Sequence, residues 1–412
     1  MEAVVSTIII TLKSMKNNRY VLHLMLCWVL FVAFSLQSCD TKETNDKGRR
    51  DDTAAVAKDS LILPLNFYKR YEGTVNDSAV VFHLLKTEKD FQASFYFLNS
   101  GHVYTLFSEN TSPAVKDSLY FSEAINSTTD SLEYKWAIKM IGDSIDGDRI
   151  VSKRKAGKVA LKETYRSGSY SFDVEVYRDS LRLTDTIPQV PYAHISQSFV
   201  VPGGKYSPAG WMSVPIKRII SFDTLPTQLL SFKDIAENNI KAFRKQYLED
   251  LQDFNVQDTG SLFRLGFENI SSLFPIFNAA GFVVLEQSSY SYSGGAHGLG
   301  TSTYSCFDVE NKKQLSWQDI FNAPPDYLNP YIEKYFRRQN NLKPDEPLNT
   351  ILFDNTIAAT KNFFFTNKGV YFVYNPYEIA AYAYGNISVF VPFADVERFI
   401  QPTFLQRISA VQ

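Results

Sequence analysis

The chain has 412 residues with a formal net charge of -2, long enough for two ordinary domains once an export segment is set apart. Its 45% hydrophobic and 15% aromatic content, with Phe and Tyr far outnumbering Met and Trp, excludes extensive disorder and leans towards strands. Lys13, Lys16 and Arg19 lie in the first 38 residues, and no Lys/Arg block follows Arg50, so nucleic acid is not an expected partner.

From Val21 to Leu36 the chain reads VLHLMLCWVLFVAFSL, with Lys16 and Arg19 ahead of it and small, polar residues behind. The run is short of the ~20 apolar residues of a bilayer span and reads as a secretory signal over residues 1–38. Met15, next to Lys16, offers an alternative start. Leu36-Gln37-Ser38-Cys39 resembles a lipobox, with Gln37 a departure from it; the resemblance implies that Cys39 carries acyl chains, worth about 0.8 kcal/mol per buried methylene. Asp40, Lys42 and Glu43 follow at once and are similar to the surface-export signal of Bacteroidetes lipoproteins. The expected location is the cell envelope, lipid-anchored to the outer membrane and surface-exposed. Of three cysteines, Cys27 lies in the signal and Cys39 is the acylation site, which leaves Cys306 to pack as a small apolar side chain without a disulfide.

Residues 39–60 are charged and small and read as a flexible tether. Over 61–165 short runs such as VVFHLL, QASFYFL, HVYTLF and YKWAIKMI alternate with turn residues at intervals near ten. This predicts an all-β meander domain of antiparallel hairpins, either a platform or a sheet that cups a ligand. Residues 166–412 change in texture: longer strands come first, then a helix opened by Ser231-Phe232-Lys233-Asp234 with Ile235, Ile240, Phe243, Tyr247, Leu251 and Phe254 on one face. A second helix begins at Asn329-Pro330 and buries Ile332, Tyr335 and Phe336. NFFFT, Asn367-Lys368-Gly369 and VYFVYN form a hairpin, and ISVFVPF a further strand, so the expected fold is α+β, with helices on an antiparallel sheet.

A tripeptide of Asp, then Ser or Thr, then an aliphatic residue or Ala recurs, placing hydroxyls at Thr53, Ser60, Ser78, Ser118, Ser131, Ser144, Ser180, Thr186 and Thr224. Average usage gives on the order of one or two matches. Turn chemistry accounts for the first two positions but not the aliphatic third. The pattern resembles the O-glycosylation site of exported Bacteroidetes proteins, which implies bulky solubilising glycans at these hydroxyls.

The densest local signal is Tyr292-Ser293-Gly294-Gly295-Ala296-His297-Gly298, a loop between two strands where paired glycines permit unusual backbone. Phe307-Asp308-Val309 and the run Lys313 to Phe321 come next, then Tyr374-Asn375-Pro376-Tyr377-Glu378, Tyr382, Gly385 and the strand ending at Phe393. This ordered set resembles the RsiV-like domain family, the extracellular domain of the lysozyme-sensing anti-sigma factor of Bacillus, also attached to some peptidoglycan deacetylases. The likeness runs from about Gly168 and is firm from Gly281 to Phe393. It implies a binding module whose ligand is a muramidase-like protein or peptidoglycan. The membrane-spanning signalling arrangement and the deacetylase domain are both missing from this sequence.

The residues argue for binding ahead of chemistry. His83, His102, His194 and His297 show no metal-ligand spacing, and there is no nucleophile elbow, Walker loop or dinucleotide fingerprint, so neither cofactor nor metal is expected. His297 with Asp308, Tyr292 or Glu378 would make an acid-base cluster for a hydrolase if the fold converged them. The leading expectation is a non-enzymatic binding surface made by the loop of Tyr292, Gly294, Gly295 and His297 with the loop of Tyr374, Tyr377 and Glu378, where exposed tyrosines are suited to protein or glycan contact. A structural envelope protein with a lipoprotein partner is the third reading.

Overall fold

A computed structural model describes residues 64–411 apart from 89, 110–117, 125–132, 152–153, 209, 225, 227, 253 and 255–258. Cys39, Thr53, Ser60, Ser131 and the whole export segment therefore lie outside the described residues. Among the described residues no helix is long and apolar enough to cross a membrane.

The first eight strands are β1 (Phe67–Val75), β2 (Ser78–Lys86), β3 (Phe91–Phe97), β4 (Val103–Ser108), β5 (Ser118–Glu123), β6 (Tyr134–Ile141), β7 (Ser144–Val151) and β8 (Arg154–Glu163). Each pairs antiparallel with the next, and β1 closes on β8 with Tyr71 opposite Glu163, so the expected meander is a closed barrel without free edges. Eight strands enclose a space that side chains can fill, and here they do. Trp136 sits against Phe82 and Phe95 at ring-centre distances of 5.6 and 4.7 Å, and its indole N–H donates to Glu123 at 2.7 Å. Among the described residues the interior is thus a packed core.

Hairpin chemistry explains several of the Asp-Ser triplets. Asn76 and Asp77 both adopt positive φ, 48° and 65°, between paired Val75 and Ser78, the geometry of a two-residue primed turn. Ser78, Ser118 and Ser144 each open a strand. Leu119 and Ile145, the aliphatic third residues of two triplets, are the first side chains of their strands to enter the barrel core. Packing therefore supplies a reason for that third position.

After β8 come β9 (Phe172–Leu181) and β10 (Ala193–Pro202), helices α1 (Ser213–Ile220) and α2 (Phe232–Asp250), then β11 (Glu268–Ala279), β12 (Phe282–Tyr292), β13 (Leu299–Asp308) and β14 (Lys313–Gln314). The six strands form one sheet in the order β14-β13-β12-β11-β10-β9. It is mixed, because β10 and β11 run parallel, which corrects the expected antiparallel sheet. The cause is the intervening helical crossover, which lets the chain re-enter beside β10 in the same direction where a tight hairpin would reverse it. Helix α2 starts at the predicted box, with the Ser231 side chain accepting from the Asp234 N–H and the Asp234 carboxylate accepting from the Ser231 N–H.

Short helix α3 (Trp317–Ile320) and the predicted α4 (Asn329–Gln339) lead into a second sheet of β15 (Phe363–Phe365), β16 (Gly369–Tyr374) and β17 (Ile387–Pro392), closed off by α5 (Phe393–Val396) and α6 (Pro402–Ile408). An all-β barrel thus precedes a mixed α/β region.

The two share a buried seam. On β2 the alternate residues Val80, Phe82 and Leu84 point into the barrel, while Val81 and Leu85 join the core of the mixed region with Tyr68, Tyr96, Phe274 and Phe277. Within this apolar seam Arg70 is almost fully buried and donates to the carbonyls of Asn278 (2.8 Å) and Thr164 (2.7 Å) while pairing with Glu72 at 2.8 Å. The Asn278 amide group accepts from the Tyr170 N–H and donates to the Tyr170 carbonyl and the Tyr68 hydroxyl. Tyr68 in turn meets His83 Nδ1 at 2.9 Å. Burial, aided by the charge of Arg70, holds the His83 pKa well below its usual range.

That depressed value fixes a sign. A histidine kept neutral in the folded state binds fewer protons there than when unfolded, so its contribution is complete above pH ~6.5 and is lost as pH falls through that value. Unfolding free energy should drop by about 1.4 kcal/mol between pH 7.5 and 5.5 from His83 alone. Urea titrations at the two pH values should show a smaller drop in His83→Gln, and an equal drop would refute the assignment.

Candidate functional site

Strands β12 and β13 pair as far as Ser291 opposite Leu299, leaving residues 293–298 as the connecting loop. Gly294 has φ +83°, its carbonyl accepts from Arg264 Nε at 2.9 Å, and a Cβ on it would lie 2.8 Å from the Arg264 carbonyl oxygen. Gly298 lies under the Tyr290 ring, which a Cβ would meet at 2.3 Å. Between these two anchors Gly295, Ala296 and His297 are exposed.

The second loop is tied to the first sheet at its base. Asn375 accepts from the Ser302 N–H at 2.7 Å, and the Glu378 carboxylate accepts from the Asn375 backbone and side-chain N–H groups at 3.1 and 3.3 Å. Tyr377 is held at φ +72°, uncommon for a bulky residue, and turns outward with 53% of its surface exposed. Its hydroxyl is 3.4 Å from His297 Nε2. Tyr382 stacks on the His297 imidazole at 4.0 Å and 23°, lies 5.8 Å from the Tyr377 ring, and donates to the Gly298 carbonyl at 2.9 Å. The fold thus brings His297, Tyr377 and Tyr382 together as a three-ring shelf.

Other sequence candidates fall elsewhere. Tyr374 is core, only 3% exposed, with its hydroxyl donating to the Ala358 carbonyl, because it closes a strand buried on both faces. Glu378 serves its own turn. Asp308 lies at the opposite end of β13 from the His297 loop, roughly 30 Å along a ten-residue strand, and is paired with Arg407. The imagined His297, Asp308 and Glu378 cluster does not form. Tyr292 ends β12 opposite Glu268. Cys306 is buried, its thiol 3.8 Å from the Phe363 carbonyl oxygen. Among the described residues no group of three or more His, Cys, Asp or Glu is placed to hold a metal. Ser180, Thr186 and Thr224 are exposed, and Ser78 and Ser144 are half-buried at turns.

A cleft that the sequence reading missed lies where β4, the six-stranded sheet, the end of α4 and β17 meet. Its volume is about 760 Å³, and Glu286 and Tyr304 face it with Thr105, Tyr384, Asn386 and Phe390. Glu286 shares its strand face with Phe282 and Val284, so a carboxylate stands where the apolar alternation calls for a core residue. That conflict with the pattern was the available signal. Tyr304 donates to Glu286 at 3.0 Å, and the Ser302 hydroxyl also bonds it. Desolvation nevertheless raises the Glu286 pKa, with those two hydrogen bonds opposing the rise. The Tyr384 side of the second loop borders this cleft, so one loop presents the ring shelf and forms part of the cleft mouth.

The glycine geometry separates two neighbours. Expected for Gly294→Ala is a loss of about 1–2 kcal/mol, since it combines positive φ with a close carbonyl. Gly295 has neither that backbone nor a close neighbour, so Gly295→Ala should leave the thermal midpoint unchanged. Equal midpoints for the two variants would contradict this local geometry.

Residues 318–394 match the model of the family described as "Protein of unknown function (DUF3298)". None of the curated proteins matches the chain. Among solved structures, a DUF3298 family member from Bacteroides fragilis is similar over 60% of this chain and 100% of its own, with 18% identity and a TM-score of 0.50. A DUF3298 family protein from Pseudomonas aeruginosa is similar over 56% of this chain and 95% of its own, with 18% identity and a TM-score of 0.41. At such identity the Bacteroides likeness concerns the fold. The C-terminal part of the chain carries a DUF3298 domain.

Proposed function

We propose that this chain is a lipid-anchored protein of the cell envelope that binds a muramidase-like protein through the three-ring shelf, without catalysing a reaction. The observation that carries the reading is the placement of Tyr377: a large ring more than half exposed, held in an unfavourable backbone region by a tied loop, and stacked in register with Tyr382 and His297. Rigid amphipathic rings give large contact area for little lost side-chain freedom, which is why such residues anchor protein interfaces. The RsiV-like features of the sequence point to the same ligand class. Peptidoglycan is the alternative ligand of the same surface.

The anchor is Cys39, and the exposed hydroxyls of Ser180, Thr186 and Thr224 are accessible positions for the glycans that the triplets imply. Intact-mass measurement of protein from its native host should show acyl and hexose increments, with the acyl part missing from Cys39→Ala. An unmodified polypeptide mass would remove both the anchor and the glycans.

For the shelf, lysozyme immobilised on a sensor should capture the full chain held in detergent micelles. Tyr377→Ala should weaken capture by about 2 kcal/mol or more and leave the melting midpoint in place. Undiminished capture by that variant, or none by the parent chain, would overturn the reading.

A further inference from the structure

The Glu286 cleft is distinct from the ring shelf, and its chemistry points to a different kind of ligand. Its volume of about 760 Å³ lies inside the roughly 300–1,000 Å³ range of small-molecule sites, and it opens at a junction of separate structural layers, a common place for them. Glu286 belongs to a strand whose neighbouring side chains on that face are core, yet it is itself only half-buried and lines the cleft. Two hydroxyl groups, from Tyr304 and Ser302, already donate to this carboxylate, and among the described residues no ion pair accompanies it. Asn386 extends the polar row by approaching the Ser302 hydroxyl at 3.4 Å. Carboxylates desolvated without a counter-charge are costly unless their acceptor capacity is met by hydrogen bonds.

We propose that this cleft binds a short neutral oligosaccharide, with Glu286 accepting from its hydroxyl groups and the exposed ring of Tyr384 packing against the apolar face of a pyranose ring. A polyol supplies many donors of modest strength, suited to a carboxylate that the protein has already surrounded with hydroxyl donors. Aromatic side chains supply the complementary surface, since each ring is apolar on its face and Tyr adds a polar edge. Among the described residues Glu286 is the one acidic side chain facing the cleft, and glycoside hydrolysis ordinarily needs two carboxyl groups flanking the bond. The site therefore holds the glycan without cleaving it. Unlike the shelf reading, this proposal requires no protein ligand, and either can fail while the other stands.

Calorimetric titration of the full chain in detergent tests it with three probes: tri-N-acetylglucosamine, cellotriose and, as a compact dication, putrescine. At least one saccharide should bind with a Kd below about 1 mM, and Glu286→Gln and Tyr384→Ala should each weaken it about tenfold or more. Glu286→Gln keeps the side-chain shape, and Tyr384→Ala, at an exposed ring, carries the test alone should the first variant lose its fold. Saccharide affinity unchanged in the folded variants would overturn the proposal. So would an absence of saccharide binding, or putrescine binding more tightly than either sugar.

Discussion

Arg70 is the residue on which the rest of the structure leans. A guanidinium removed from water must have its donors met, and here they are met by groups from both sides of the seam: Thr164 and Glu72 beside the barrel, and the Asn278 carbonyl from the six-stranded sheet. Asn278 passes the connection on to Tyr170 and Tyr68, and Tyr68 to His83. Leaving any of these buried partners unmatched costs more than its bond contributes, so the barrel and sheet are fixed in one relative position. Apolar contact alone, through Val81, Leu85, Phe274 and Phe277, would resist separation but tolerate sliding.

A second set of ties works further along the seam. Thr366 and Asn367 donate to the carbonyls of Gly101 and Leu98, and the Tyr371 hydroxyl accepts from the Val103 N–H. Gly101 is required there, since a Cβ would meet the Thr366 hydroxyl oxygen at 2.6 Å and its φ is +71°. Strand β4 is thereby held beside β16 and β17, and the cleft is the space left between them, α4 and Glu286. The loop from Asn375 to Asn386 borders it on one side and carries the ring shelf on the other. Both candidate surfaces thus depend on parts far apart in sequence being held at fixed distance.

What could be read from the sequence follows from this arrangement. Helix α2 was legible because its capping box and apolar face are local, and the β15 to β17 hairpins because their runs are short and bounded by turns. The contact of the two loops was anticipated from adjacent features, and His297 with Tyr377 does stand together. Barrel closure was not legible, since β7 reads SIDGDRIV, with hardly any alternation, and its membership is decided by its partners. The parallel pairing of β10 and β11 depends on a crossover of some sixty residues, whose direction no local pattern specifies. Tyr374 was misplaced because a tyrosine at the end of a strand looks the same whether the next layer covers it or not. Glu286 left a trace as a charge on a core-facing position, which carries meaning only once the strand face is known.

Barrel and mixed region form one cooperative body whose seam builds the cleft, and unfolding followed by a probe on each side of that seam should show it. Trp136 reports on the barrel core, and Trp211, packed 6.2 Å from Phe307, on the mixed region. Two variants of the full chain, each keeping one of these tryptophans and carrying Phe at the others, should show coincident urea transitions, as a two-state body requires. A barrel transition separated from that of the mixed region would mean that the seam does not couple them, and the cleft would lose its fixed walls.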